Sequence, residues 1–140
     1  MGQVGVEYIM TFANPKNIKI PLSILVVDYD KMILELLNKF FEMYGFEVHI
    51  AENGLDGWEL FNKVRVDIVL TDIQMPGLDG TELAGRIRED SPDTKIAVMT
   101  GKFVDAGNEM VRNGIADHCF PKPIAMSHIY ETLTANLQPV

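Results

Sequence analysis

Five short apolar runs, separated by stretches of helical periodicity, constrain this chain more than any other feature. Leu22 to Val27 is continuous in apolar residues apart from Ser23, and Asp28 closes it. A run of that kind fits a parallel strand covered on both faces, where no solvent side asks for polar alternation. Phe46 to Ile50, Val66 to Leu70, Lys95 to Thr100 and Ala116 to Phe120 repeat the theme. Between the first two, Met32, Ile33, Leu36, Leu37, Phe40 and Phe41 recur at helical spacing, and Gly45 supplies a stop. Asn53 is a candidate cap for a helix through Val64. Further helices are expected over Thr81 to Glu89, Val104 to Arg112 and Ala125 to Leu137.

Strand and helix thus alternate five times. Right-handed crossovers and burial of both sheet faces favour an α/β fold with one open, doubly wound (βα)5 parallel sheet, flavodoxin-like in architecture. Sites in such sheets lie beyond the carboxyl ends of the strands. Asp28, Asp72, Thr100 and Lys122 all stand at or just after strand ends, on four different strands. The sheet would gather them at one edge, which no local motif could do.

Two carboxylates at one edge repel each other unless a cation intervenes. A hard divalent ion with oxygen ligands answers this, and Mg²⁺ suits carboxylates, a carbonyl and a phosphate together. A carboxylate can also attack phosphorus to give an aspartyl phosphate. A lysine would offer a compact positive charge to a phosphoryl oxygen, and a threonine hydroxyl a hydrogen bond.

The strings that carry these residues are Ile24-Leu25-Val26-Val27-Asp28, Leu70-Thr71-Asp72-Ile73-Gln74-Met75-Pro76-Gly77-Leu78-Asp79-Gly80, Val98-Met99-Thr100-Gly101 and Pro121-Lys122-Pro123. In this order they resemble the receiver domains of bacterial response regulators, over about residues 22 to 137. The resemblance implies that Asp72 accepts phosphate from a sensor histidine kinase or a histidine phosphotransfer protein. It implies that Asp28 belongs to the Mg²⁺ pocket and that Gln74 offers its backbone carbonyl to the ion. It implies that Thr100 is the switch hydroxyl, that Lys122 contacts the phosphate, and that Lys122-Pro123 is a cis bond.

Two positions depart from that family. Receivers carry two adjacent acids after the first strand, whereas here Tyr29 follows Asp28, and a neutral phenol is a poor ligand for Mg²⁺. Asp30, one residue further on, is a second candidate ligand with a different direction. Cys119 stands three residues before Lys122, where receivers place Tyr or Phe as a ring that turns inward. Phe120 is next to it but on the opposite strand phase. Weak metal binding and an altered output are the expectations.

Taken singly, these residues have plain readings: Asp is common in turns, Thr in strands and Lys on surfaces. Met75, Met99 and Trp58 read as packing. His49, His118 and His128 lack paired metal spacing and read as surface or half-buried. Cys119 reads as a small hydrophobe.

With 140 residues the chain suits one domain. Residues 1–20 lack periodicity and form an N-terminal extension, and 21–138 form the receiver. A formal net charge of −8 and scattered basic residues argue against nucleic acid, whose phosphates need Lys and Arg. No run reaches the length of a membrane span. Glu7 interrupts the apolar start, so a secretory signal is not expected. One cysteine excludes an internal disulfide and fits a cytoplasmic setting.

The function expected is a non-enzymatic phosphoacceptor switch that changes docking to an unidentified downstream protein or to a second copy as a homodimer. The alternative is a degenerate receiver that binds its partner without phosphorylation, motivated by Tyr29 and Cys119. A flavin or nucleotide enzyme is disfavoured, because Asp28-Tyr29-Asp30 occupies the place of a glycine-rich phosphate loop.

Overall fold

A computed structural model describes residues 21–135. The expected extension over residues 1–20, Leu137 and the end of the expected receiver at 138 lie outside the described residues. Strands β1 (Ser23–Val27), β2 (Glu47–Ala51), β3 (Ile68–Asp72), β4 (Lys95–Thr100) and β5 (His118–Pro121) alternate with five helices. These are α1 (Lys31–Met43), α2 (Gly54–Val64), α3 (Gly80–Asp90), α4 (Val104–Arg112) and α5 (Met126–Thr134). All neighbouring strands are parallel, in the order β2-β1-β3-β4-β5.

Strand phase divides the core in two. Leu25, Val27, Val69, Ile96 and Val98 face α2, α3 and α4, where Phe61, Leu83, Ile87 and Met110 meet them. Ile24, Val26, Leu70, Ala97, Met99 and Phe120 face α1 and α5, where Leu34, Leu37, Phe41, Ile129 and Leu133 meet them. Phe41 and Phe61 have no exposed surface, and truncating either to alanine should cost about 3–5 kcal/mol. The apolar stripe of α1 is wider than its buried face. Leu34, Leu37 and Phe41 are buried, while Met32 is 70% and Leu36 50% exposed.

Four strands start later than the sequence suggests: β1 by one residue, at Ser23, and three others for local reasons. Phe46 closes the turn after α1 by donating its N–H to Phe41 O, so β2 begins at Glu47. The turn after α2 passes through Arg65 at φ 43°, which delays β3 to Ile68. Ala116 still bonds to Met110 O at the end of α4, leaving β5 only His118–Pro121.

At the amino ends of β4 and β5, Arg88 of α3 ties two loops together, the one between α3 and β4 and the one between α4 and β5. Its guanidinium donates to Ile115 O at 3.1 Å, Pro92 O at 2.8 Å, Thr94 O at 2.9 Å and Asp117 Oδ2 at 2.8 Å. Asp117 Oδ2 also accepts the Ile96 N–H at 2.8 Å.

Candidate functional site

The carboxyl ends of β1, β3, β4 and β5 bring Asp28, Asp72, Thr100 and Lys122 to one rim. Asp28 directly follows β1 and is fully buried, and Asp72 is the last residue of β3, 8% exposed. Lys122 follows β5 and reaches both, with Nζ 2.9 Å from Asp28 Oδ2 and 3.5 Å from Asp72 Oδ1. Asp28 Oδ1 accepts the Asp30 N–H at 2.8 Å, which satisfies the second oxygen of a carboxylate that water cannot reach. The Lys122-Pro123 peptide is cis, as the resemblance implies.

Asp72 is held by its backbone as well as by charge. The Thr71 hydroxyl donates to Asp72 O at 2.9 Å, and Gly80 N–H donates to Ile73 O at 2.8 Å. A Cβ at Gly80 would collide with Asp72 O, so only glycine lets α3 start this close to the end of β3. Burial raises the carboxyl pKa of Asp72 above its ordinary value, and the Asp28 charge adds to this; Lys122 and a hydrogen bond from the Gln74 backbone oppose it. Gln74 is exposed, and it meets Asp72 through its backbone.

Asp72 lies in an open cleft of about 460 Å³ lined also by Asp28, Tyr29, Asp30, Gln74, Met75, Pro76 and Lys122. Tyr29 is 62% exposed at its rim and also borders an adjoining cleft with Leu78 and Arg86. Asp30 is the N-cap of α1, and its Oδ1 accepts the Met32 N–H at 2.9 Å. That bond competes with any role for Asp30 as a metal ligand. Among the described residues, no group of three or more His, Cys, Asp or Glu side chains gathers as a metal site.

A model of the response regulator receiver domain matches residues 24–134. The chain belongs to the response regulator receiver family. Among its curated relatives are longer proteins: response regulator MprA of Mycobacterium sp. (strain KMS) is 33% identical over 84% of this chain and 51% of MprA. This receiver therefore spans about half the length of those relatives. The polar-differentiation response regulator DivK of Brucella anthropi is 28% identical over 84% of this chain and 97% of DivK. A CheY-like receiver structure from Methanospirillum hungatei JF-1 superposes with a TM-score of 0.78 at 28% identity, over 83% and 93% of the two chains.

Two contacts of this receiver had no signal in the sequence alone. Thr100 Oγ1, 2% exposed, accepts the Phe103 N–H at 2.7 Å. Gly107 of α4 packs directly against the Cys119 side chain, where a Cβ would collide with Sγ. Burial raises the Cys119 thiol pKa, and the side chain packs beside the α2–α4 core, in keeping with a small hydrophobe. Phe120 packs on the other face, as strand phase requires. Among the described histidines, His49 and His118 are half-buried and His128 is exposed.

Proposed function

We propose that this receiver is a phosphoacceptor switch loaded on Asp72 by a sensor histidine kinase or a histidine phosphotransfer protein. The observation that carries this reading is the Lys122 ammonium bridging Asp28 and Asp72 within an open cleft. The bridge leaves Asp72 accessible while supplying fixed positive charge beside it.

In the transfer, an Asp72 carboxylate oxygen attacks phosphorus of the phosphohistidine. The P–N bond breaks as the new O–P bond forms, and the electron pair leaves with the imidazole nitrogen, which takes a proton from solvent. Lys122 holds charge on the transferring phosphoryl group. Asp28, Asp72 and the Gln74 carbonyl are hard oxygen donors of the kind Mg²⁺ accepts. That ion, when bound, neutralises phosphoryl charge. Tyr29 adds no charged donor and Asp30 caps a helix, so the donor set fits a weakly held ion. The rest of the described receiver, residues 21–135, is scaffold for this rim, and its output is docking to another protein or to a second copy.

Incubation with acetyl phosphate and Mg²⁺, read by Phos-tag electrophoresis, should retard the chain, and Asp72→Asn should abolish the shift. No shift in the parent protein, with Mg²⁺ in large excess, would remove this reading.

The outward Tyr29 and the capping Asp30 favour a second reading, a receiver that docks its partner without phosphorylation. It expects partner binding to survive Asp72→Ala; loss of binding in that variant would count against it.

A further inference from the structure

Strand β2 stands at one edge of the sheet, with β5 at the other. Glu47 N–H donates to Leu22 O at 2.9 Å, and Ala51 O accepts the Asp28 N–H at 3.2 Å, so these positions of β2 bond inward to the β1 chain. Backbone groups alternate in direction along a strand, which aims the N–H and C=O of Val48 and Ile50 outward. Among the described residues, no strand pairs with that outer side. β2 carries neither lysine nor proline, the residues that blunt an open edge, and Ile50 is 41% exposed. A groove of about 310 Å³ lies beside the same edge, lined in part by Ile50, Ala51, Leu60 and Lys63.

The chain enters β1 next to the amino end of this edge, since Leu22 is the residue bonded to Glu47. Although residues 1–20 as a whole hold no sustained period, Val4, Val6, Tyr8, Met10 and Phe12 stand at every second position. That spacing gives a strand one apolar face. Asn14-Pro15, a turn signal, follows it. The place beyond β2 is two strand spacings from β1, about 10 Å, and the chain from 13 to 20 spans up to about 26 Å when extended. The connection therefore has length to spare for crossing beneath β2.

We propose that residues 4–12 add a sixth strand, antiparallel to β2, that closes this edge within the same chain. The segment bonds to the outward groups of Val48 and Ile50. Its apolar side chains lie on the face that Val48 shares with the α1 and α5 core. Pairs of aromatic and β-branched residues across strands are favourable. Lys16 and Lys19 arrive at the end of β2 that carries the exposed Glu47 side chain. The added strand covers an edge that would otherwise template pairing with another chain. Because β2 and β5 are opposite edges, it leaves the rim of Asp72 and Lys122 open.

The test is amide exchange followed by NMR on the full chain, in the parent, in Met10→Pro and in Gln3→Pro, a control outside the segment. In the parent, the Val48 and Ile50 amides should exchange at least roughly tenfold slower than unprotected amides, at every protein concentration. Nuclear Overhauser contacts should also join residues 4–12 to Val48 or Ile50. Met10→Pro removes a ladder N–H, and both amides should then exchange roughly tenfold faster, while Gln3→Pro leaves them unchanged. Freely exchanging Val48 and Ile50 amides in the parent overturn the proposal, as does protection that Met10→Pro leaves intact. Protection that rises with concentration, together with a dimer mass by light scattering, gives the edge to a second copy and overturns it as well. Should Met10→Pro disturb the whole fold, read from Trp58 fluorescence, the Overhauser contacts in the parent decide: their absence overturns the proposal.

Discussion

Lys122 and Asp28 are 94 positions apart in sequence, yet their side chains meet at 2.9 Å around a carboxylate with no exposed surface. β3 and β4 lie between the strands that carry them, so this pair crosses the upper rim of the sheet. A buried charge that loses its partner is strongly unfavourable. Lys122→Met should therefore lower stability by about 3 kcal/mol, the smaller end of the usual range because the lysine is partly exposed. Adding Asp28→Asn should recover most of that loss. Urea unfolding of the two variants checks this, and equal stability of Lys122→Met and parent would contradict it.

Tyr29 puts a neutral phenol in the cleft beside Asp28 and Asp72, where a carboxylate would add a charged donor. Affinity for a divalent ion follows the number of charged ligands. Tyr29→Asp should tighten Mg²⁺ binding by roughly tenfold or more, measured by titration calorimetry on unphosphorylated protein. Asp30→Asn should change it little, because the Asp30 oxygen caps α1. A large loss on Asp30→Asn would instead assign that carboxylate to the ion.

The raised pKa of Asp72 has a definite sign in stability. Burial is its largest cause, then the Asp28 charge, with Lys122 and the Gln74 backbone opposing. A carboxyl that is harder to ionise when folded binds more protons in the native state over the window between the two pKa values. Stability then falls as pH rises from the ordinary value of 3.8 through the raised native value. Asp72→Asn should be the more stable protein at neutral pH, and its advantage should shrink in acid. Thermal unfolding of both across that range gives the comparison; a constant difference at every pH would be inconsistent with it.

Gly107 and Cys119 form a contact with no slack. Gly107→Ala gains helix propensity, but its Cβ would overlap Cys119 Sγ. Overpacking of this kind costs about 1–3 kcal/mol, which outweighs the roughly 1 kcal/mol from propensity. Cys119→Ala in the same chain should relieve most of the penalty. A double-mutant cycle in urea should show coupling of about 1 kcal/mol, and strict additivity would refute the contact.

The alternation of apolar runs and helical stretches was enough to read five strands, five helices and a gathered rim, because strand burial and helix periodicity are written locally. Asn53 was legible as a cap because cap chemistry is local too, and its side chain accepts the Asp56 N–H. Asp30 was not, since Asp suits a cap and a metal pocket equally and only the direction of α1 decides. The Thr100–Phe103 bond depends on how the chain turns after β4. The Gly107–Cys119 contact depends on how closely α4 settles on β5. The late starts of β2, β3 and β5 follow from turn geometry that apolar content does not reveal.

Arg88 joins the loops below β4 and β5 through four hydrogen bonds from one guanidinium. The same two strands carry Thr100 and lead to Lys122 at their other ends. One end of these strands is thus riveted while the other opens onto the cleft around Asp72. A foundation fixed in this way lets the upper loops diverge in sequence without loosening the frame beneath them, so tolerance to substitution should differ sharply between the two ends of the same strands.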